Sequence, residues 1–329
     1  MIYTIILLLI GFAILIKGAD YLVSGASSAA KKYGISNLVI GLTVVAFGTS
    51  MPEMIVSLLA ALDGKSDASF GNIIGSNNLN ILLILGISGL IYPLVVQRNT
   101  VKFEIPLSLL AALVLFALVN DTLLRSNVSP ASVNILSRLD SFILLIFFAG
   151  FLFYIFQSMK GTTNQEDGEP IKIYSTPISI GMIVLGLGML IGGGELVVHN
   201  AIEIARHYHM SEKLIGLTIL AAGTSLPELA TSCVAAYRKN TDIAIGNVVG
   251  SNIFNIFLIL GVTGMVNPIP YNSAMNFDMY VLFGSTLLLI LFMFTLVSHK
   301  LDRWEAFILL VSYVTYTIYL IITDTGTVS

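Results

Sequence analysis

Long apolar runs alternate with short polar segments along almost the whole chain. A helical run of about 20 apolar residues is long enough to cross the hydrocarbon core of a bilayer. The pattern predicts an all-α polytopic membrane protein with ten transmembrane helices embedded in a lipid bilayer. The spans are expected at about residues 2–22 with an extension towards residue 31, 37–62, 70–94, 103–119, 141–156, 177–198, 213–236, 243–266, 279–297 and 306–323.

The composition excludes several other classes of protein. Of the 329 residues, 56% are hydrophobic and only 11% are charged, whereas soluble domains carry about 25% charged residues. A soluble helical protein of this size would have too little charge to cover its surface. The net charge is −3 and no basic tract indicates nucleic-acid binding. The single cysteine, Cys233, cannot form an intrachain disulfide.

One stretch of the chain occurs twice. Residues 41–80 recur as residues 216–255 at a constant offset of 175, and roughly half of the positions from residue 40 to residue 89 match their counterparts. Equivalent points lie five spans apart, and five is odd, so the second half enters the membrane from the opposite side. We therefore predict two inverted five-helix repeats, residues 1–160 and 176–329, joined by a short cytoplasmic loop of residues 161–175.

The distribution of basic residues predicts the orientation. Loops after odd-numbered spans carry more Lys and Arg than the loops on the other side, with Lys31, Lys32, Arg238 and Lys239 among them. The richer side is expected in the cytoplasm. Both termini should then be extracellular and the central loop cytoplasmic, in an integral protein of the cell (plasma) membrane.

Each copy of the repeated stretch contains a proline followed by a glutamate. The first copy reads Gly-Thr-Ser-Met-Pro-Glu and ends at Glu53, and the second reads Gly-Thr-Ser-Leu-Pro-Glu and ends at Glu228. Pro52 has no N–H and clashes with the carbonyl four residues back, so the second span is predicted to break at residues 48–52. Carbonyls around residues 46–48 and 221–223 would be freed, and carbonyls at the C-terminal end of a half-helix attract cations.

Oxygen-bearing side chains share helix faces near these glutamates. Three pairs are spaced four residues apart: Thr49 with Glu53, Ser76 with Asn80, and Ser251 with Asn255. The pseudo-symmetry would bring these faces together near the bilayer midplane. Because all the donors are hard oxygens, and the motifs contain neither Cys nor His, the pattern favours sodium or calcium over zinc, copper or iron.

A different interpretation of the same residues is a capping box, in which Ser50-x-x-Glu53 and Ser225-x-x-Glu228 close helix N-termini. Neither six-residue motif contains a Lys or Arg, and an unpaired acid deep in hydrocarbon is costly and functional by default. Cation binding is therefore favoured. Outside these motifs, we interpret Asn77 and Asn252 as helix-packing residues and expect Asp20 at the membrane interface.

The doubled motif Gly-Thr-Ser-x-Pro-Glu followed by Gly-Ser-Asn-x-x-Asn resembles the α-repeats of the calcium/cation antiporter superfamily, and most of all the compact prokaryotic sodium/calcium exchangers. The resemblance implies that spans two, three, seven and eight form a core across which spans one and six slide. It implies a transporter and not an enzyme, with Ca²⁺ and Na⁺ as transported ions, no cofactor and a monomeric state. The site residues that the resemblance implies are Glu53, Glu228, Thr49, Ser50, Ser76, Asn80, Thr224, Ser225, Ser251, Asn255 and the carbonyls of Ala46 and Ala221.

Three functions are compatible with the sequence. The favoured one is sodium/calcium antiport by alternating access, for which the resemblance implies three Na⁺ per Ca²⁺, electrogenic exchange and independence of K⁺. The second is proton/calcium antiport on the same fold. The proton-coupled branch carries a glutamate soon after the Gly-Asn that opens spans three and eight, and this chain has only aliphatic residues after Asn72 and Asn247. The third is a passive cation channel. A single site between sliding bundles fits alternating access better than a continuous pore.

Overall fold

The computed structural model describes residues 2–120, 134–158, 172–208, 221–295 and 298–325. The described helices are α1 (Ile2–Tyr33), α2 (Asn37–Thr49), α3 (Met51–Leu62), α4 (Ser66–Ile91), α5 (Thr100–Val119), α6 (Arg138–Ser158), α7 (Thr176–His207), α8 (Ala221–Gly223), α9 (Leu226–Tyr237), α10 (Thr241–Val266), α11 (Ser273–Phe292) and α12 (Arg303–Thr325). Four two-residue strands are also present: β1 (Leu94–Val95), β2 (Ile135–Leu136), β3 (Ile269–Pro270) and β4 (Lys300–Leu301).

The described part of the chain confirms an all-α membrane protein. It contains eight helices that are long and apolar enough to cross a bilayer, and the bent pair α2–α3 makes a ninth span. The beginning of the expected seventh span, residues 213–220, and most of the expected central loop, residues 161–171, lie outside the described residues. The count of ten spans and the boundaries of the two repeats therefore stay predictions.

Burial separates the central helices from the peripheral ones. In the most apolar 18-residue window of α10, 94% of the residues are buried, and in that of α4 the share is 78%, against 11% for α12. A helix that is buried on every side can carry polar side chains inside the membrane, provided that they find partners within the protein. The two central helices are those that contain the Gly-Ser-Asn segments of the repeated stretch.

The two halves contact each other reciprocally. Strand β1 of the first half pairs antiparallel with β4 of the second, and β2 of the first pairs with β3 of the second. Since β1 and β3 are equivalent segments at the offset of 175, the two ladders are related by a pseudo-two-fold operation. Side chains repeat the pattern, because Asn272 donates to Asp67 and Gln97 donates to Asp242.

Helices α1 and α7 are long and pack closely against each other. Each contains 32 residues, which corresponds to about 48 Å at 1.5 Å per residue and exceeds the hydrocarbon thickness, so both helices must tilt. Glycines allow the close approach, since a Cβ on Gly18 would lie 2.9 Å from the Gly186 carbonyl and one on Gly186 would lie 2.7 Å from the Leu22 nitrogen. Gly193 likewise approaches the backbone of α1.

Candidate cation-binding site

The chain breaks in both halves where the prolines predict it. Helix α2 ends at Thr49 and α3 begins at Met51 with a bend of 45°, and Pro52 stands in the first turn of α3. In the second half α8 ends at Gly223 and α9 begins at Leu226, with Pro227 in its first turn. A proline in a first turn loses no hydrogen bond, so the new helix can start there.

One expectation about the break is wrong. The Ala46 carbonyl is not freed, because it accepts the Ser50 N–H at 3.0 Å. The physical reason is that the donor missing from Pro52 belongs opposite Gly48, four residues back, while the amide of Ser50 still reaches Ala46. In the second half Ala221 opens α8, and the residues before it lie outside the described part.

The two serines of the motifs do not cap their own helices. Ser50 and Ser225 stand at the N-cap positions of α3 and α9, yet neither hydroxyl makes a capping hydrogen bond. Ser50 instead donates to Glu228 Oε1 at 3.0 Å, and Ser225 donates to Glu53 Oε1 at 2.9 Å. Each serine therefore contacts the glutamate of the other half, and the capping-box interpretation does not describe this arrangement.

Both motif glutamates are completely buried, with 0% of their surface exposed. Their Oε1 atoms accept the serine hydroxyls, whereas Glu53 Oε2 and Glu228 Oε2 have no hydrogen-bond partner among the described residues. Within the described residues neither carboxylate forms a salt bridge, and the two lie within electrostatic reach of each other. Two like charges without a counter-ion in a buried site are costly, and a cation between them would remove that cost.

Serines of the central helices lie beside the same carboxylates. Ser76 on α4 donates to Glu53 Oε1 at 3.2 Å and lies 2.8 Å from the Ser225 hydroxyl oxygen. Its counterpart Ser251 on α10 is completely buried, and its hydroxyl has no hydrogen-bond partner. These contacts bring α3, α4 and α9 together around one carboxylate.

The motif threonines contact two asparagines that the sequence-based site did not include. Thr49 donates to Asn247 Oδ1 at 3.0 Å and Thr224 donates to Asn72 Oδ1 at 3.1 Å. The amino group of Asn247 in turn donates to the Glu228 carbonyl at 3.3 Å, and that of Asn72 donates to the Glu53 carbonyl at 3.2 Å. Each asparagine thus connects a threonine of one half to the glutamate backbone of the other half.

The motif amides complete the cluster. Asn80 and Asn255 are completely buried, and no described residue donates a hydrogen bond to the Oδ1 atom of either. Both lie in π-helical turns, at Asn80–Ile84 of α4 and Phe254–Leu260 of α10. Such turns interrupt the regular backbone bonding and often occur at functional sites.

The predicted side chains thus converge on one buried cluster of oxygens. Within the described residues, five oxygens of the cluster have no hydrogen-bond partner: two from carboxylates, two from amides and the Ser251 hydroxyl. Among the described residues no three His, Cys, Asp or Glu side chains are grouped as a metal site, so the cluster combines only two charges with neutral oxygens. Such a set suits hard cations of low charge, because these ions need few carboxylates and can be coordinated by hydroxyl and amide oxygens.

Comparison with known proteins gives the family. A sequence profile described as sodium/calcium exchanger protein matches residues 3–157 and 178–322. The putative antiporter CaxA of Alkalimonas amylolytica is 38% identical over 96% of this chain and 98% of its own length. The sodium/calcium exchanger MaX1 of Methanosarcina acetivorans is 32% identical over 96% of this chain and 97% of its own length.

A solved structure agrees over the same length. The sodium-calcium exchanger NCX_Mj, in a crystal soaked with zero Na⁺ and Ca²⁺, superposes with a TM-score of 0.80 at 34% identity, covering 97% of this chain and 99% of that one. The profile, the relatives and the shared fold support one conclusion. The chain belongs to the sodium/calcium exchanger protein family.

Proposed function

We propose that the protein is a sodium/calcium antiporter that exchanges Na⁺ for Ca²⁺ by alternating access at the cluster around Glu53 and Glu228. The observation that carries the proposal is the pair of completely buried carboxylates, each with an oxygen that has no donor. The ligands would come from the two carboxylates, the hydroxyls of the motif serines and threonines, the amides of Asn80 and Asn255, and the carbonyls of Ala46 and Ala221. A carbonyl oxygen that accepts one hydrogen bond keeps a second lone pair for a cation. The relative MaX1 is named a sodium/calcium exchanger, and this supports the choice of ions.

Charge explains why one site can serve both ions. One Ca²⁺ is balanced by two carboxylates. Sodium ions can share the same carboxylates and use the neutral oxygens around them, so the two ions would occupy overlapping ligands in turn. We propose three Na⁺ for each Ca²⁺, electrogenic exchange and no requirement for K⁺. We further propose that the protein works as a monomer in the cell membrane, with both termini outside and the central loop in the cytoplasm.

The test is calcium uptake into proteoliposomes driven by an outward sodium gradient. We expect Glu53→Gln and Glu228→Gln each to abolish measurable uptake. Either change leaves a bound Ca²⁺ with one uncompensated charge, and one charge pair at about 4 Å is worth about 4 kcal/mol at an effective dielectric constant near 20. That energy corresponds to roughly a thousandfold in affinity.

The matched control is Glu104→Gln on α5. Glu104 is also buried, with 2% exposure, but it accepts from Tyr154 at 2.5 Å instead of belonging to the cluster. A glutamine keeps an acceptor for that hydroxyl, so uptake should continue at the rate of the unmodified protein. Near-normal uptake by a folded Glu53→Gln or Glu228→Gln protein would refute the proposed site.

Proton/calcium antiport is the second candidate. Two buried carboxylates with no basic partner can also hold protons, and the relative CaxA is described only as a putative antiporter. The same vesicles separate the candidates. Uptake driven by a proton gradient in the absence of sodium would favour the proton antiporter, whereas uptake that needs the sodium gradient favours sodium/calcium exchange. Downhill flux without any counter-gradient would indicate a channel.

A further inference from the structure

Two buried asparagines next to the cluster have no place in the site proposed above. Asn77 on α4 and Asn252 on α10 are equivalent in the two repeats and are 0% and 1% exposed. We infer that Asn77 and Asn252 are positioning residues, which hold the amides of Asn255 and Asn80 with their oxygens towards the transported cation. This inference rests on the proposed function, because it deepens the description of the same site.

The first step is the contact between the two central helices. The Asn252 amino group donates to the backbone carbonyl of Asn77 at 3.3 Å, and the Asn77 amino group donates to the backbone carbonyl of Asn252 at 3.3 Å. A backbone carbonyl can only accept, so each side chain must turn its NH₂ towards it. The oxygen of each side chain is thereby fixed on the opposite side.

In the second step, the fixed side chains of Asn252 and Asn77 determine how the amides of Asn80 and Asn255 are oriented. Asn252 Oδ1 accepts from the Asn80 amino group at 2.9 Å, and Asn77 Oδ1 accepts from the Asn255 amino group at 2.9 Å. Asn80 and Asn255 therefore direct their NH₂ groups at their partners. Their oxygens are fully buried and have no donor in the part of the chain that the structure describes.

The chemical consequence is a choice between two faces of the same group. An amide has one oxygen that can bind a cation and one NH₂ that repels it. Without the asparagine partner, Asn80 could present its NH₂ to the site, and a ligand would be replaced by a donor. The chain of contacts starts at a backbone carbonyl, so it cannot reverse without breaking the reciprocal bond between the helices. The helix-packing role predicted for Asn77 and Asn252 is thus joined by a second role in ion binding.

The experiment measures equilibrium binding of ⁴⁵Ca²⁺ to purified, detergent-solubilised full-length protein. Asn252→Ala should weaken calcium binding by about tenfold or more, equivalent to about 1.4 kcal/mol. The matched control is Asn78→Ala on the same helix as Asn77. Asn78 is as deeply buried, but it donates to the backbone carbonyl of Asp278 at 3.0 Å, away from the cluster. The Asn78→Ala protein should lose thermal stability but keep its calcium affinity.

A carboxylate in place of the Asn80 amide separates orientation from general packing. An aspartate has two equivalent oxygens and no NH₂, so it needs no partner to face the ion correctly. In the Asn80→Asp background, Asn252→Ala should weaken calcium binding by less than about threefold. Two independent sites would not show such a coupling. The pair Asn77→Ala with Asn255→Asp tests the other half in the same way, and decides the matter if Asn252→Ala does not fold.

The outcomes are distinct. A loss for Asn252→Ala that vanishes with Asn80→Asp, together with unchanged affinity for Asn78→Ala, supports the inference. No loss of affinity, or an equal loss in both backgrounds, overturns it while leaving the proposed site intact. If the unmodified protein binds no calcium, the proposed function fails and the inference fails with it.

Discussion

Asn255 decides the net charge of the candidate site. It is fully buried and neutral, and its amino group is held by Asn77 Oδ1 at 2.9 Å. The resemblance to the antiporter superfamily implies an aspartate at the matching position in its potassium-dependent branch. A third carboxylate would compensate an additional monovalent cation, whereas Glu53 and Glu228 alone balance one Ca²⁺. A K⁺ bound together with Ca²⁺ would leave one uncompensated positive charge, the same as three Na⁺ at this site, so the neutral amide removes a dedicated counter-charge for K⁺ rather than forbidding a third positive charge.

We accordingly predict that exchange needs no potassium. Sodium-driven calcium uptake should proceed at a similar rate when choline replaces potassium on both sides of the proteoliposome membrane. Asn255→Asp adds a negative charge, and we expect it to alter ion preference or pH dependence. Potassium-free vesicles of the unmodified protein that take up no calcium would contradict this prediction.

At the scale of single residues, the sequence predicted the side chains that come together but not how they contact each other. Glu53, Ser76 and Asn80 were found because a polar residue inside an apolar span recurs 175 positions later. Asn72 and Asn247 recur at the same offset, but in the sequence they mark only the start of spans three and eight. Their partners Thr224 and Thr49 lie in the opposite half, and no spacing within one helix can show a contact between halves.

The motif serines show the same limitation. Ser50-x-x-Glu53 matches a capping box in sequence, and local geometry alone cannot reject it. The structure differs because the Glu228 carboxylate of the other half accepts the Ser50 hydroxyl at 3.0 Å. A charged acceptor makes the stronger hydrogen bond, so the tertiary contact replaces the local one.

At the scale of helices, α1 makes polar contacts with the segment between α9 and α10, and the equivalent positions of the other repeat cannot form the same ion pair. Arg238, just after α9, donates to Asp20 and, at 2.5 Å, to the Ser24 hydroxyl on α1. Asn240 adds a hydrogen bond to Ser27 at 2.9 Å. The positions equivalent to Arg238 and Asp20 at the offset of 175 are Asp63 and Glu195. Two acidic residues cannot form the equivalent ion pair, so the contact of Arg238 with Asp20 holds α1 and has no equivalent ion pair at α7.

We predict that Arg238→Ala loosens the C-terminal half of α1. Hydrogen–deuterium exchange in residues 20–33 should accelerate by a few-fold, because a partly exposed ion pair contributes about 1 kcal/mol or less. Exchanging the charges, with Asp20→Arg and Arg238→Asp together, should restore much of the protection. Lys65→Ala is the control, since Lys65 forms an exposed ion pair with Asp63 away from α1. Unchanged exchange in Arg238→Ala would show that the helix packing with α7 alone holds α1.

The sequence predicted the helical elements well where a local cause was present. Pro52 and Pro227 placed both breaks, and helix α1 continues to Tyr33, close to the extension towards residue 31 that the sequence predicts. The close packing of α1 on α7 depends instead on glycines that meet across two distant helices, such as Gly18 and Gly186. The sixth span is rich in glycine, but only the fold identifies α1 as the helix that these glycines contact.

At the scale of the whole molecule, pseudo-symmetry organises both the scaffold and the site. The reciprocal ladders β1–β4 and β2–β3 join the halves away from the cluster, and the serine-to-glutamate contacts join them within it. The inversion of the second repeat stays a prediction, which follows from an odd number of spans per repeat. The strands could not be predicted, since two-residue segments leave no periodic pattern to detect.

The last prediction concerns the charge moved by one transport cycle. Exchange of three Na⁺ for one Ca²⁺ moves one net positive charge in the direction of sodium. When sodium leaves the vesicle and calcium enters, an inside-positive potential should therefore increase calcium accumulation. One charge across about 60 mV corresponds to about 1.4 kcal/mol, or about tenfold in the calcium ratio at equilibrium. The potential is set by inward potassium diffusion through valinomycin, and the same potassium gradient without valinomycin separates potential from potassium itself. A two-for-one exchange would move no net charge, so calcium accumulation that ignores the potential would contradict the three-to-one ratio while leaving the site and its ions in place.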